Sequence, residues 1–315
     1  MPFRALPLLA IFLAALPFSA VRADTAEDAK FQALIDKIWA WDMREFPEWA
    51  TSLGKRDGLD RWTDESREAL DRRDADSRAF LAELEKIDAR KLGDKWRLDY
   101  ELLVRDFREG VEGQKFPGEL LALSQLGGVH DGLTSLMQQV PASRAEDFDA
   151  ILARYKAWPR LVDQNIALLE RGLASGVTAP RVTLAAIPAQ LDALADDDSP
   201  ANPVLAPFQK DSPQLTKEQM ADYRKRGMET FRESVLPALK KFRTFVNEKY
   251  LPGARETIGM SAMPDGAAWY AFSARSSTTT ETWSSSSVTS IVISVPRGAK
   301  ESAFKTRFVS TCATS

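Results

Sequence analysis

The one imidazole in this 315-residue chain is His130, set in Ser124-Gln125-Leu126-Gly127-Gly128-Val129-His130-Asp131-Gly132. A histidine beside glycines can contact a substrate, because backbone lacking Cβ lets a ligand approach closely. It can equally be a structural histidine that donates to a backbone carbonyl. A lone imidazole excludes a two-histidine metal site and a multi-histidine proton relay within this chain. The single cysteine, Cys312, excludes an internal disulfide framework, a cysteine zinc finger and a redox pair. Ser52-Leu53-Gly54-Lys55 matches the S-x-x-K acylation pattern, but neither Ser-Asp-Asn nor Lys-Thr-Gly follows it, and Gly54 reads as a turn. Gly259-Met260-Ser261-Ala262-Met263 fails the nucleophile-elbow pattern at its last position. Neither glycine-rich phosphate loop is present. Asp196, Asp197 and Asp198 lack the spacing and terminal glutamate of a calcium loop, so they read as a solvated segment.

A second candidate lies further along. Met263-Pro264-Asp265-Gly266 is a turn signal, and Ala267, Ala268, Trp269, Tyr270, Ala271 and Phe272 follow it. The aromatics favour a short strand, and Trp269 and Tyr270 could line the wall of a cleft. The plainer reading is a connector into a C-terminal strand. With His130, these two residues are the candidate substrate contacts.

The elements that must position them read as helices, and the fold class is mainly α: an antiparallel bundle of long helices with a short β element near the C-terminus. Phe31, Leu34, Ile35, Ile38 and Trp39 share one helical face, and Pro47 stops that helix. Residues 64–88 form a charged segment with one apolar edge. Trp96, Tyr100, Leu103, Phe107 and Val111 make a further stripe. Ser143 with Glu146 and Thr216 with Gln219 have capping-box spacing. Pro159 closes one helix or opens the next, and Gly176 stops the second. The prolines of residues 196–213 predict an irregular loop. A long helix then runs from Tyr223 to Tyr250, bent at Pro237.

The ends differ from this body. Residues 1–23 carry Arg4, an apolar run from Ala5 to Phe18 and small residues before Asp24, the pattern of a cleaved signal peptide. That run is shorter than the ~20 residues of a spanning helix, so the expectation is export to the periplasm with no membrane anchor after cleavage. Residues 24–272 form the helical domain. In residues 273–315, fourteen of the first 22 residues are Ser or Thr, an aberrant or disordered tail with at most one short strand near Val288 to Val295. The 42 basic and 45 acidic residues leave a net charge of −3, which argues against a nucleic-acid partner.

The order of short motifs resembles the bacterial family called domain of unknown function 885. The resemblance rests on Phe46-Pro47-Glu48-Trp49-Ala50-Thr51-Ser52-Leu53-Gly54, on the loop Leu126 to His130, on Asn202-Pro203 with Pro207-Phe208, and above all on Tyr250-Leu251-Pro252-Gly253-Ala254-Arg255 through Pro264-Asp265-Gly266 to Trp269-Tyr270 and Thr278-Thr279-Thr280. It implies an exported, mainly helical, zinc-metallopeptidase-like protein that acts on a peptide substrate. Its zinc motif resembles His-Glu-x-x-Pro-Gly-His, in which histidines bind the metal and the glutamate activates a bound water. That motif lies beyond the Trp-Tyr segment in the family and is absent here, so no catalytic residue, metal ligand or cofactor carries over; zinc is implied for full-length members only. Two readings follow. In the first, the chain is the N-terminal part of such a peptidase, inactive alone, cut short by a shifted frame near residues 273–281 and lacking its C-terminal half as a partner. In the second, it is a complete non-catalytic periplasmic protein that binds a peptide or protein.

Overall fold

The computed structural model describes residues 25–125 and 127–281. Helix α1 (Ala26–Glu45) opens on a reciprocal cap: Thr25 Oγ1 accepts from the Asp28 N–H, and Asp28 accepts from the Thr25 N–H. Asp28 also accepts from the Gly93 N–H, so one buried carboxylate ties the start of α1 to the start of another helix. Pro47 ends the run and sits at the first position of α2 (Pro47–Ser52), where its missing N–H costs nothing. Next come α3 (Arg67–Leu84), capped by Ser66, and α4 (Asp94–Gly113). α5 (Val129–Gln139) is short, and α6 (Ala145–Ser175) is the longest element. Then follow α7 (Ile187–Ala195), the single turn α8 (Ala206–Gln209), α9 (Lys217–Thr230), α10 (Leu236–Phe245), α11 (Leu251–Gly253) and α12 (Gly266–Glu281).

Several boundaries differ from the sequence reading. Pro159 neither closes nor opens a helix; it lies inside the continuous 31-residue α6. Trp158, Leu161 and Val162 are buried around it, and their packing outweighs the lost backbone bond. α6 begins at Ala145, so the carboxylate that caps it is Asp147, which takes the N–H groups of Ser143 and Arg144, in place of Glu146. Gly176 ends α6 at φ 75°, a left-handed conformation that a side chain resists. The Thr216–Gln219 box caps α9. The long run from α9 to α11 contains two π-turns, Phe231–Val235 and Val246–Tyr250. Each closes two residues before a proline, Pro237 and Pro252. A proline ring clashes with the carbonyl four residues back, and the wider π-turn relieves that clash.

The expected β element near the C-terminus does not form over Ala267 to Phe272: these residues are the first turns of α12. Trp269 and Phe272, three apart, both pack on Phe116, which is a helical spacing and not the alternation of a strand. Among the described residues the β content is one isolated bridge, Ser124 to Gly127. The Val288 to Val295 stretch and the signal-peptide segment lie outside the described residues. No helix among the described residues is long and apolar enough to cross a membrane.

Three clusters of buried side chains hold the helices. The largest joins α5, α6, α7, α9 and α10 through residues such as Leu133, Tyr155, Trp158, Leu191, Phe231 and Phe242. A second joins α1, α3 and α4 through Phe31, Phe80, Leu84, Trp96 and Leu103. The third is small: Leu70, Leu120, Leu121, Leu168, Val177, Met263 and Trp269 seat α12 against α6 and α3.

Candidate functional site

His130 occupies the first turn of α5 and is 2% exposed. Its Nε2 lies 3.1 Å from Oε1 of Gln190 on α7, and its ring centroid is 6.2 Å from that of Phe242 on α10. Taking Gln190 Oε1 as acceptor places the proton on Nε2. The expected backbone carbonyl partner is therefore a side-chain amide instead. Of the two glycines before it only Gly128 is packed: a Cβ there would stand 2.7 Å from Leu123 and 3.1 Å from His130 Nδ1, whereas one on Gly127 would meet nothing within 4 Å. Burial pushes the His130 pKa below its ordinary value, and the Gln190 bond and the Asp131 charge only partly oppose this.

Trp269 and Tyr270 follow each other on α12 and so point about 100° apart. Trp269 is buried in the third cluster, stacked on Phe116 at 5.7 Å and 6°. Tyr270 is 63% exposed. His130 packs with residues of the largest cluster and Trp269 belongs to the smallest, so the three candidates do not share one cluster.

The motif of Tyr250 to Arg255 has a clear physical role. Arg255 Nε donates to the Thr178 carbonyl at 2.7 Å, and one terminal nitrogen donates to the Thr257 and Gly259 carbonyls. Arg181 reaches back to the Pro252 and Ala254 carbonyls and pairs with Glu256 at 2.7 Å. Two arginine forks thus bind the chain after α11 to the segment after α6, satisfying carbonyls that helix ends leave open. The Asn202-Pro203 motif acts similarly: Asn202, fully buried, donates to the Leu194 and Asp197 carbonyls and accepts from the Val204 N–H.

Two charged residues that the sequence reading did not single out are central. Arg154 is fully buried on α6 yet has no carboxylate within ion-pair range among the described residues; it donates to Thr51 Oγ1 and the Gly58 carbonyl and lies over the Trp62 ring at 5.2 Å. Burial pulls its pKa down to about 10, against the pull of Glu48 and Asp60. It fastens the segment containing the Phe46 to Gly54 motif onto the core. Its signal was an arginine within the apolar spacing Ile151, Tyr155, Trp158. Asp147, 1% exposed, accepts from Arg56, from Ser143 Oγ and from two backbone N–H groups. Burial raises its pKa, but the Arg56 bond and those N–H groups together outweigh burial and hold it well below the carboxylate range.

Two open concavities lie along the surface and share Glu112 of α4. One, of 420 Å³, lies along α4 over Tyr100, Val104, Arg108 and Glu112. The other, of 480 Å³, has α12 as a wall and is lined by Glu112, Phe116, Asp265, Phe272 and Arg275. Among the described residues, no group of three or more His, Cys, Asp and Glu side chains could hold a metal ion.

The model of the family of bacterial proteins of unknown function DUF885 matches residues 47–286. The chain belongs to the DUF885 family. The match takes in the Glu48 segment, the Asn202 loop, the Arg255 staple and the start of the Ser/Thr-rich stretch. A crystal structure named as a "putative lipoprotein" from Colwellia psychrerythraea has a similar fold, with a TM-score of 0.70 at 16% identity over 80% of this chain. The match spans 46% of that protein, so this chain corresponds to less than half of its length. No curated protein matches the chain.

Proposed function

We propose that this chain carries the N-terminal helical portion of an exported DUF885 peptidase-like domain and does not hydrolyse peptides by itself. The observation that carries the reading is the state of His130. It is the one histidine in the sequence, it is buried, and its Nε2 is committed to Gln190. A catalytic zinc takes three protein ligands, commonly with two or more histidines. The described residues do not fit that ion, so zinc chemistry would need the His-Glu-x-x-Pro-Gly-His segment that this sequence lacks. The solved relative, more than half of which lies outside the match, supports a longer functional unit. In that unit Tyr270 offers the exposed contact for a peptide, while His130 and Trp269 hold the helices behind it.

The test is the nucleotide sequence past codon 273. A second frame encoding His-Glu-x-x-Pro-Gly-His supports the reading, and its absence from both other frames removes the shifted frame. Purified chain with stoichiometric zinc and chelator-sensitive peptidase activity would overturn the inactive assignment. One observation favours the second reading, a self-sufficient binding protein of the periplasm. Val182, Ile258 and Tyr270 are the exposed large apolar residues among those described, fewer than a severed core should present. Cooperative unfolding as a monomer without binding of a hydrophobic dye would establish that alternative.

A further inference from the structure

The concavity walled by α12 has a direction. Trp269 stacks on Phe116, the Phe272 ring comes within 3.2 Å of where a Cβ on Gly113 would sit, and Arg275 pairs with Glu112 at 2.8 Å. As the chain advances along α12, its partners step backwards through Phe116, Gly113 and Glu112, so α12 runs antiparallel to the end of α4. Asp265 therefore stands at one end of the groove and the Arg275–Glu112 pair at the other. Ten residues of helix separate them, about 15 Å along the axis. That span suits about four residues of extended peptide. The volume, 480 Å³, is in the range of small-ligand sites.

The two ends differ in charge. Glu112 is already engaged: Arg275 holds it at 2.8 Å, and Lys115 lies 3.9 Å from it. The Asp265 carboxylate is exposed, accepts no hydrogen bond and meets no cation among the described residues. One end of the groove thus carries an unopposed negative charge. The other carries a surplus positive one, since two cations share one carboxylate. Between them Phe116, Phe272, Ala268 and Ala271 make an apolar floor. Asp265 is also held in place. It is the one non-glycine residue with positive φ among those described, at 53°. Met263 before it is buried in the third cluster, and after it a Cβ on Gly266 would stand 2.0 Å from the Met260 carbonyl, which pins the turn.

We propose that this groove binds the free amino-terminal end of a peptide, with the α-ammonium on Asp265 and an apolar side chain among its first residues on the Phe116–Phe272 floor. The inference rests on the peptide contact assigned above to Tyr270, whose neighbour Ala271 lines the groove, and it adds the ligand class: an unblocked amino terminus close to an apolar residue. An ammonium is the complement because the Asp265 carboxylate offers only acceptors and no side-chain cation occupies them. The peptide then runs toward Lys115 and Arg275, whose donors face its carbonyls.

The experiment is titration calorimetry on the full chain. The probes are a four-residue peptide of alanine and phenylalanine, amidated at its C-terminus, and its N-acetylated counterpart. Near neutral pH the free-amine peptide should bind about three- to fivefold more tightly, the gain of one exposed ion pair. The advantage should fade as the pH rises through the α-amino pKa of about 8, while binding of the acetylated peptide stays level. Asp265→Asn should abolish the advantage and keep the fold, because asparagine also accepts the left-handed conformation. Glu112→Gln should retain the advantage, since Arg275 already engages that carboxylate. Equal affinities for the two peptides, both lost in Tyr270→Ala, would leave the peptide contact standing and overturn the Asp265 assignment. Binding of neither peptide would remove both. An advantage that survives Asp265→Asn would place the ammonium elsewhere and sink the proposal.

Discussion

Protonating His130 would place a positive charge beside Phe242 and Gln190 in a site that water scarcely reaches. Burial lowers its pKa from the ordinary 6.5, with the Gln190 bond and Asp131 opposing. The unfolded chain therefore binds a proton at a pH where the folded chain does not. Stability is full above about pH 6.5 and falls as the pH drops through the window below it, by up to about 1.4 kcal/mol per pH unit. Between pH 7.5 and 5.5 the loss is at most about 1.4 kcal/mol, the limit in which the folded imidazole binds no proton. Urea unfolding at the two pH values measures it, with His130→Gln as the comparison. Carboxylates titrate in both proteins and cancel in the difference, and no second histidine interferes. The variant should lose less stability on acidification, by up to that amount. The single imidazole proton signal should titrate below its value in unfolded peptide. Parallel losses in the two proteins, or an imidazole titrating at or above 6.5, would refute the argument.

Three further outcomes are expected. Asp147→Ala should cost about 3 kcal/mol by denaturant unfolding, since it strips the cap of α6 and leaves N–H groups of Ser143 and Arg144 unpaired. Because its folded pKa is depressed, the Asp147 contribution is present above the ordinary value of 3.8 and lost below it, so the variant should lose less stability in acid than the parent. Gly172→Ala should cost about 2 kcal/mol or more in the same assay, because the new Cβ would stand 2.6 Å from the Val177 carbonyl and 3.1 Å from that of Leu120, both backbone atoms that cannot swing away. Arg255→Lys should cost about 1–3 kcal/mol, since an ammonium cannot span the Thr178 and Gly259 carbonyls. Limited proteolysis should then cut between residues 252 and 259 faster than in the parent.

Much of the architecture was legible in the one-dimensional pattern. The apolar stripes of α1 and α4, the stop at Pro47, the Thr216 cap and the left-handed end at Gly176 all depend on neighbours within four residues, and such local rules show in a single chain. The element at Ala267 to Phe272 was read with the wrong period. Its aromatics carry strand propensity, but their spacing of three only acquires meaning when Phe116 is present to receive Trp269 and Phe272. Pro159 misled for a related reason, because the packing that keeps α6 continuous through it comes from distant helices.

The chemistry divides along the same line. One histidine and one cysteine, counted from the sequence, were enough to exclude multi-histidine metal sites and internal disulfides within this chain, because stoichiometry needs no fold. What an imidazole or a guanidinium does depends on what surrounds it, and that was settled only in three dimensions. The structure buried His130 against Gln190, set Arg154 beneath Trp62, and parted Trp269 from Tyr270 across one helix surface. Burial and partner choice are sums over contacts far apart in the chain, so no window of sequence contains them.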